Sequence, residues 1–171
     1  IESNQQLADV ILALGCGVGP EFALDRLRYG KVILLMDADS DGHHIATLLL
    51  AFFYKAMPGL IHAGKVFLAC PPLYRIVVGT DTVWARDDDE REALLRALPQ
   101  RARESAEVSY FKGLGEMPAE MLFATTMNPA TRRLEQVEIP DGSELETAAM
   151  LQDLLGSDVE MRLAHIQDAD I

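Results

Sequence analysis

Residues 32–42 read Val32-Ile33-Leu34-Leu35-Met36-Asp37-Ala38-Asp39-Ser40-Asp41-Gly42. A five-residue apolar run ends in three aspartates at alternate positions, then a glycine. An apolar residue at every position predicts a central strand, buried on both faces, over residues 32–36. On an extended backbone, alternate residues point one way, so Asp37, Asp39 and Asp41 are expected to share a direction. They stand where the strand stops, which is where open α/β sheets place ligands. Three carboxylates this close repel one another. Either a hard divalent cation lies among them or their pKa values rise.

Working outward, residues 4–14 form an apolar-periodic helix that Gly15 and Gly17 stop, and residues 20–28 suggest a second short helix. Asp41 is a candidate N-cap for a helix from about His43 to Met57, with Pro58-Gly59 as its end. Residues 66–69 read as a second apolar strand. Strand, helix, strand in this order predicts a parallel βαβ unit. Residues 73–78 and 82–85, separated by Gly79-Thr80-Asp81, read as a hairpin. Residues 87–98 predict an exposed helix with an acidic first turn and Arg96 near its end, matching the helix dipole. A short strand over 108–111 runs into Lys112-Gly113-Leu114-Gly115-Glu116, and residues 118–126 predict a helix. Residues 134–139 alternate like an edge strand. Ser143-x-x-Glu146 and Ser157-x-x-Glu160 have the spacing of capping boxes and open helices at 144–155 and 158–168, an αα-hairpin. The fold class expected is therefore α/β with a helical tail.

The 171 residues suit one domain with an appendage, and 49% apolar composition is enough for a core. No apolar run reaches the roughly 18–20 residues of a membrane span. The opening Ile1-Glu2-Ser3 has neither an initiator Met nor a basic n-region, so it reads as a cut piece without a signal peptide. Cys16 and Cys70 lack CxxC spacing and read as buried thiols of a cytoplasmic protein. Fifteen basic against 27 acidic residues give a net charge of −12. Such a field opposes an encounter with DNA unless metal ions, a local basic strip or a partner protein offset it.

Three chemistries compete for the aspartates. A calcium loop of the EF-hand kind needs a bidentate Glu at its twelfth position, and counting from Asp37 that position is Leu48. That reading is rejected. A phosphatase of the haloacid dehalogenase type would use Asp37 as nucleophile and Asp39 as acid. It also wants a Thr or Val where Ser40 stands, a downstream Lys and a further acidic pair. The run from Asp87 to Glu90 looks instead like a solvated helix start. A Mg²⁺ site for phosphodiester chemistry needs only one or two carboxylates per ion, because Mg²⁺ keeps several waters. A pair of ions can stabilise the entering and leaving oxygens of phosphoryl transfer. Against all three stands the bland reading, a helix cap and a turn, which suits Asp41 alone better than it suits the whole cluster.

The stretch Arg28-Tyr29-Gly30-Lys31 through Asp37-Ala38-Asp39-Ser40-Asp41-Gly42-His43-His44 resembles the Toprim domain of bacterial type IIA topoisomerase B subunits. So do Pro71-Pro72-Leu73-Tyr74-Arg75, Tyr110-Phe111-Lys112-Gly113-Leu114-Gly115-Glu116-Met117 and Asn128-Pro129-Ala130-Thr131-Arg132-Arg133-Leu134. The Asp-Ala-Asp-Ser-Asp-Gly variant, with no long insertion before Lys112, looks more like the B subunits of topoisomerase IV than those of DNA gyrase. The resemblance implies a Toprim, Rossmann-like, partly parallel sheet flanked by helices. It also implies residues 1–118 as a partial Toprim domain lacking its first β-α portion, and 119–171 as the C-terminal tail. It further implies that the Mg²⁺ ligands are Asp37, touching both ions, Asp39 on the second and Asp41 in support. Mn²⁺ or Ca²⁺ can substitute. His44, Lys112, Arg132 and Arg133 would face DNA, with Arg28 a further basic residue inside the matching motifs. Glycines flanking Lys112 permit close backbone approach to a phosphate. The bland reading of each arginine is a solvated surface charge. Implied partners are DNA and the topoisomerase IV A subunit in an A₂B₂ enzyme of the bacterial cytoplasm, associated with the chromosome.

The departures are equally informative. The family's Glu acid/base, in an E-G-D-S-A-G-G motif, has no counterpart here, nor has its K-G-K-I-L-N strip. Both would lie upstream of Ile1, as would the ATP-binding domain. No catalytic acid or cofactor-binding residue is therefore assigned. Four tyrosines occur, all in packing contexts, and the family's DNA-linking Tyr belongs to the A subunit. The isolated chain is expected neither to cleave DNA nor to hydrolyse ATP. The alternatives left open are the Asp-nucleophile phosphatase and a pure subunit-interaction module that docks through the tail and the helix after the aspartates.

Overall fold

The computed structural model describes residues 4–157 and 159–168. Helix α1 (Gln5–Leu14) starts under an Asn4 cap, whose side chain accepts from the Leu7 N–H at 3.2 Å. Gly15 ends it with a left-handed φ of 73°, a conformation that glycine adopts without a side-chain penalty. Arg28 reaches back to donate to the Leu12 carbonyl at 3.1 Å. This arginine, exposed as a surface charge, thereby also caps a helix. Residues 20–28 do not form the expected helix. They make two separate 3₁₀ turns, Gly19–Glu21 and Leu24–Arg26. Phe22 and Leu27 both pack on the core. Five residues apart on one helix they would diverge by about 140°, so the break lets both turn inward.

Strand β1 (Val32–Leu34) is two residues shorter than its apolar run. It pairs in parallel with β2 (Val66–Ala69), in the register Val32↔Val66, Ile33↔Phe67, Leu34↔Leu68. Helices α2 (Ser40–Ala56) and α3 (Pro58–His62) form the crossover. Pro58 both stops α2 and opens α3, because a proline at N1 loses no hydrogen bond there. Phe53, Met57, Leu60 and Val66 are fully buried beneath this unit together with Cys16. Burial raises the Cys16 thiol above its ordinary value, and Cys70, only half-buried, is raised for the same leading reason.

The hairpin forms as expected: β3 (Tyr74–Val78) and β4 (Asp81–Ala85) pair antiparallel. After α4 (Asp88–Ala97) and α5 (Gln100–Glu104), strand β5 (Glu107–Tyr110) adds to the other edge of β3. These strands are a second sheet, order β4-β3-β5, with a small core of Tyr74, Ile76 and Ala85. The helix expected over 118–126 is α6 (Ala119–Leu122) followed by a π-helical turn, Phe123–Met127. There the Thr125 and Thr126 hydroxyls donate to the carbonyls of Met121 and Leu122, at 2.8 and 2.5 Å. Such back-bonding competes with the regular ladder. Strand β6 (Leu134–Gln136) then pairs antiparallel with β2, giving the first sheet the order β1-β2-β6. The fold is the expected α/β arrangement with a partly parallel sheet.

The tail is α7 (Glu144–Leu155) and α8 (Val159–Asp168). The capping box expected at Ser143 does not form. Its hydroxyl donates to the Pro140 carbonyl at 2.7 Å instead. The second expected box spans residue 158, outside the described residues. Tyr54, on α2, donates its hydroxyl to the Glu144 carbonyl at 2.9 Å and ties the tail to the body.

Candidate metal centre

The chain leaves β1 at Leu34, reaches Asp37 in an irregular segment and enters α2 at Ser40. The helix cap is Asp39, not Asp41. Its side chain accepts from the Gly42 N–H at 2.7 Å. Asp41 sits inside the first turn, where a carboxylate complements the helix dipole. The extended backbone therefore reaches only to Asp39, at φ −118° and ψ 176°, and Asp41 follows the helix instead of the alternation. The three carboxylates nevertheless line one open concavity, together with Met36, Gly42, Ile45 and Leu114. Two further contacts hold Asp37. Its Oδ1 accepts from the Leu114 N–H at 2.7 Å, across 77 residues of sequence. Gly42 lies so close that an added Cβ would stand 2.1 Å from the Asp37 carbonyl oxygen.

Among the described residues none of the three aspartates has an ion-pair partner, and Asp37 Oδ2 and Asp39 Oδ2 have no hydrogen-bond donor. No group of three His, Cys, Asp or Glu side chains there converges into a ready-made metal cage. The donor set fits a hard cation held by one or two carboxylates and water, the usual manner of Mg²⁺.

The residues read as a basic DNA face sit in different environments. His44 is exposed on α2 and does not line the concavity, whereas His43 lines the adjoining cleft with Asp37, Arg86 and Glu135. Lys112 is exposed, and its backbone N–H donates to Glu116 Oε2 at 2.8 Å, closing the turn that presents Leu114 to Asp37. Arg132 is half-buried and donates to the Met127 carbonyl at 3.4 Å. Arg133 pairs with Glu90 at 3.0 Å, and Arg86 holds the same carboxylate with its backbone N–H at 2.8 Å and its Nε at 3.0 Å. Glu90 is thus a clamp between α4 and the entry to β6, not a solvated helix start. The Arg86 backbone N–H first, then the Arg133 guanidinium, lower its carboxyl to about 2. Two tyrosine hydroxyls are committed within the fold, Tyr54 to Glu144 and Tyr74 to Asp88.

A folded pKa depressed this way adds stability above the ordinary carboxylate range, lost as pH falls from about 4.5 toward 2. Both arginines are about half exposed (49% and 55%), so solvent screens the pairing, and the expected contribution is about 1–2 kcal/mol. Glu90→Gln is expected to lower stability at pH 7 by that amount and to flatten the loss of wild-type stability between pH 4.5 and 2. Urea unfolding at several pH values reads both. Parallel pH profiles for the two proteins would exclude the clamp.

The comparisons follow the two halves of the chain. The Toprim domain family matches residues 3–70, and the family described as DNA gyrase B subunit, carboxyl terminus, matches residues 103–167. The DNA topoisomerase 4 B subunit of Bartonella bacilliformis is 45% identical over 169 residues, 99% of this chain and 24% of the relative. The DNA gyrase B subunit of Treponema pallidum is 43% identical over 165 residues, 96% of this chain and 25% of the relative. The DNA topoisomerase 4 B subunit of Caulobacter vibrioides is 43% identical over 166 residues, 97% and 24% respectively. The chain spans about a quarter of the length of the curated relatives it matches. Among the described residues no helix is long and apolar enough to cross a membrane. With four motifs in order, a parallel strand ending at an aspartate concavity and relatives of both names across nearly its whole length, the chain belongs to the type IIA topoisomerase B subunits, of which it carries the Toprim domain and the carboxyl-terminal segment.

Proposed function

We propose that this chain is the metal-binding and subunit-docking part of a topoisomerase B subunit, acting in double-strand cleavage and religation of DNA. The observation that carries this reading is the open concavity at the end of β1, lined by Asp37, Asp39 and Asp41 with carboxylate oxygens unspent on the protein. Asp37 and Asp39 would hold Mg²⁺, with Asp41 supporting, and Mn²⁺ or Ca²⁺ can replace it. The ion supplies charge stabilisation at the phosphodiester being exchanged. The protein's own part is to fix these carboxylates and to bring a net charge of −12 near DNA only where a cation offsets it. Lys112 and His44 are the exposed candidates for backbone contact. Arg132 and Arg133 each commit one guanidinium nitrogen within the fold, to the Met127 carbonyl and to Glu90, which leaves their other N–H groups for a phosphate and offsets the charge of Arg133. Residues 1–118 belong to the Toprim portion and 119–171 to the tail.

The tail suits docking. Leu145 is 86% exposed, Val159 65%, Met150 54% and Leu163 51%, an apolar load on two helices that a partner would cover. The family reading assigns it to the A subunit in an A₂B₂ enzyme, with ATP bound by another domain of the whole protein. The Asp-Ala-Asp-Ser pattern favours topoisomerase IV over gyrase, and a cytoplasmic, chromosome-associated site follows from that role.

Calorimetry tests the site. Asp37→Asn is expected to weaken Mg²⁺ binding at least tenfold, and equal heats for variant and wild type would remove Asp37 from it. The chain mixed with an A subunit, Mg²⁺ and DNA should form a complex on size exclusion but no covalent DNA–protein product. Such a product would show a complete catalytic centre here. Phosphoaspartate trapped on Asp37 would favour the phosphatase chemistry instead.

A further inference from the structure

We infer that Gly113 and the turn 112–116 are positioning residues for Asp37, presenting the Leu114 backbone N–H so that one carboxylate oxygen is held and the other is left for a cation. This inference rests on the metal reading of Asp37 given above.

Three observations converge on it. The Leu114 N–H donates to Asp37 Oδ1 at 2.7 Å, a short contact for a charge-assisted bond and a long reach in sequence. Asp37 Oδ2 has no donor among the described residues, and the side chain faces the concavity that Leu114 also lines. The turn is braced from its far side. Glu116 Oε2 accepts from the Lys112 N–H at 2.8 Å, and the Glu116 N–H donates to the Gly113 carbonyl at 3.1 Å. The loop is thereby a rigid donor mount rather than a chance neighbour. Ligating carboxylates are commonly hydrogen-bonded by a second layer that fixes their direction, and that layer governs affinity.

The two glycines of this turn supply an internal control. A Cβ at Gly113 would stand 3.3 Å from Asp37 Cγ and Oδ1 and 3.4 Å from Oδ2. At Gly115 an added Cβ meets nothing within 4 Å. Gly113 lies at φ −148° and ψ 164°, extended backbone that alanine adopts freely. Gly113→Ala therefore introduces no backbone strain. Its three nearest contacts are all on the Asp37 carboxylate, which must tilt away by a few tenths of an ångström and lengthen its bond to Leu114.

The experiment titrates Mn²⁺ alone into the 171-residue chain by water-proton relaxation and follows the Leu114 amide proton of the metal-free protein by NMR. The expected result is an upfield move of that proton in Gly113→Ala with Mn²⁺ affinity lowered about tenfold, and neither change in Gly115→Ala. Asp37→Asn serves as the reference for loss of the ligand. If Asp37→Asn binds Mn²⁺ as wild type does, the metal reading itself fails. If Asp37→Asn loses binding while Gly113→Ala retains it, the metal reading stands and the positioning role is overturned. Equal losses in the two alanine variants, or a loss without movement of the Leu114 proton, also overturn it. Should Gly113→Ala fail to fold, Glu116→Ala and Glu116→Gln decide. The first unbraces the turn and is expected to weaken Mn²⁺ several-fold. The second keeps an acceptor oxygen and is expected to recover most of that affinity. Wild-type binding in Glu116→Ala would overturn the inference.

Discussion

Gly42→Ala is expected to destabilise the chain by about 3 kcal/mol or more, a fall of roughly 6–12 °C in Tm at this size. The cause is local and steric. A methyl group there would lie 2.1 Å from the Asp37 carbonyl oxygen, 3.0 Å from its carbon and 3.2 Å from its nitrogen. All three are backbone atoms, so no side-chain rotation relieves the clash. Either the loop after β1 or the first turn of α2 must move. The same shift pulls the Gly42 N–H off the Asp39 carboxylate and uncaps the helix. Stability and Mn²⁺ binding should therefore fail together in this variant. The matched control is Gly30→Ala, where nothing lies within 4 Å. Thermal unfolding of both variants is the measurement, and a Gly42→Ala midpoint within about 2 °C of wild type would refute the packing argument.

The second large effect lies at the other end of the same helix. Phe53 is 1% exposed and packs beside Phe52 with ring centroids 5.4 Å apart, over the core shared by Met57, Leu60 and Val66. Phe53→Ala removes a large buried ring and leaves a cavity that rigid neighbours fill poorly. The expected loss is about 3–5 kcal/mol, a substantial part of the stability of any domain. Leu48 lies five residues earlier on α2 and is 48% exposed. Leu48→Ala should stay within about 0.5 kcal/mol. Equal losses at the two positions, read from denaturant midpoints, would mean that α2 buries a different face. Phe53→Ala should leave the residual Mn²⁺ affinity of the folded fraction unchanged, because Phe53 lies eleven residues, roughly 16 Å, along α2 from Gly42. That separates it from Gly42→Ala, where fold and site move together.

How much of this is legible in the sequence depends on the range of the interaction concerned. The apolar run 32–36, the helix behind it and the second strand at 66–69 were readable, because burial on both faces leaves a continuous apolar signature. The parallel pairing followed from the order of these elements. The position of the helix cap did not. Asp39 and Asp41 are both acceptable caps by type, and only the path of the chain out of β1 placed Asp39 next to the Gly42 N–H. Likewise the two 3₁₀ turns replaced a helix because Phe22 and Leu27 both had to reach one core.

The site itself divides in the same way. The aspartates announced themselves by spacing. Their support did not, since the Leu114 N–H carries no side-chain signature and lies 77 residues away. The one available hint was the pair of glycines around Leu114. Arg133 shows the reverse dependence. A basic residue in a DNA-linked motif read as a contact, yet Glu90, from what looked like a solvated acidic run, holds it by an ion pair spanning 43 residues. His44 and His43 differ by one position, and only the rotation of α2 about its axis decided which of them faces the cleft.

By itself, then, the order of residues determined the α/β class, the parallel unit and three acidic groups at a strand end, because hydrophobic periodicity and turn chemistry act within a few residues of one another. Tertiary structure alone decided which carboxylate caps, which is held by a distant amide, which arginine is already paired and which histidine lines the cleft. Those outcomes depend on contacts between segments far apart in the chain, and no local pattern encodes the angle at which two such segments meet.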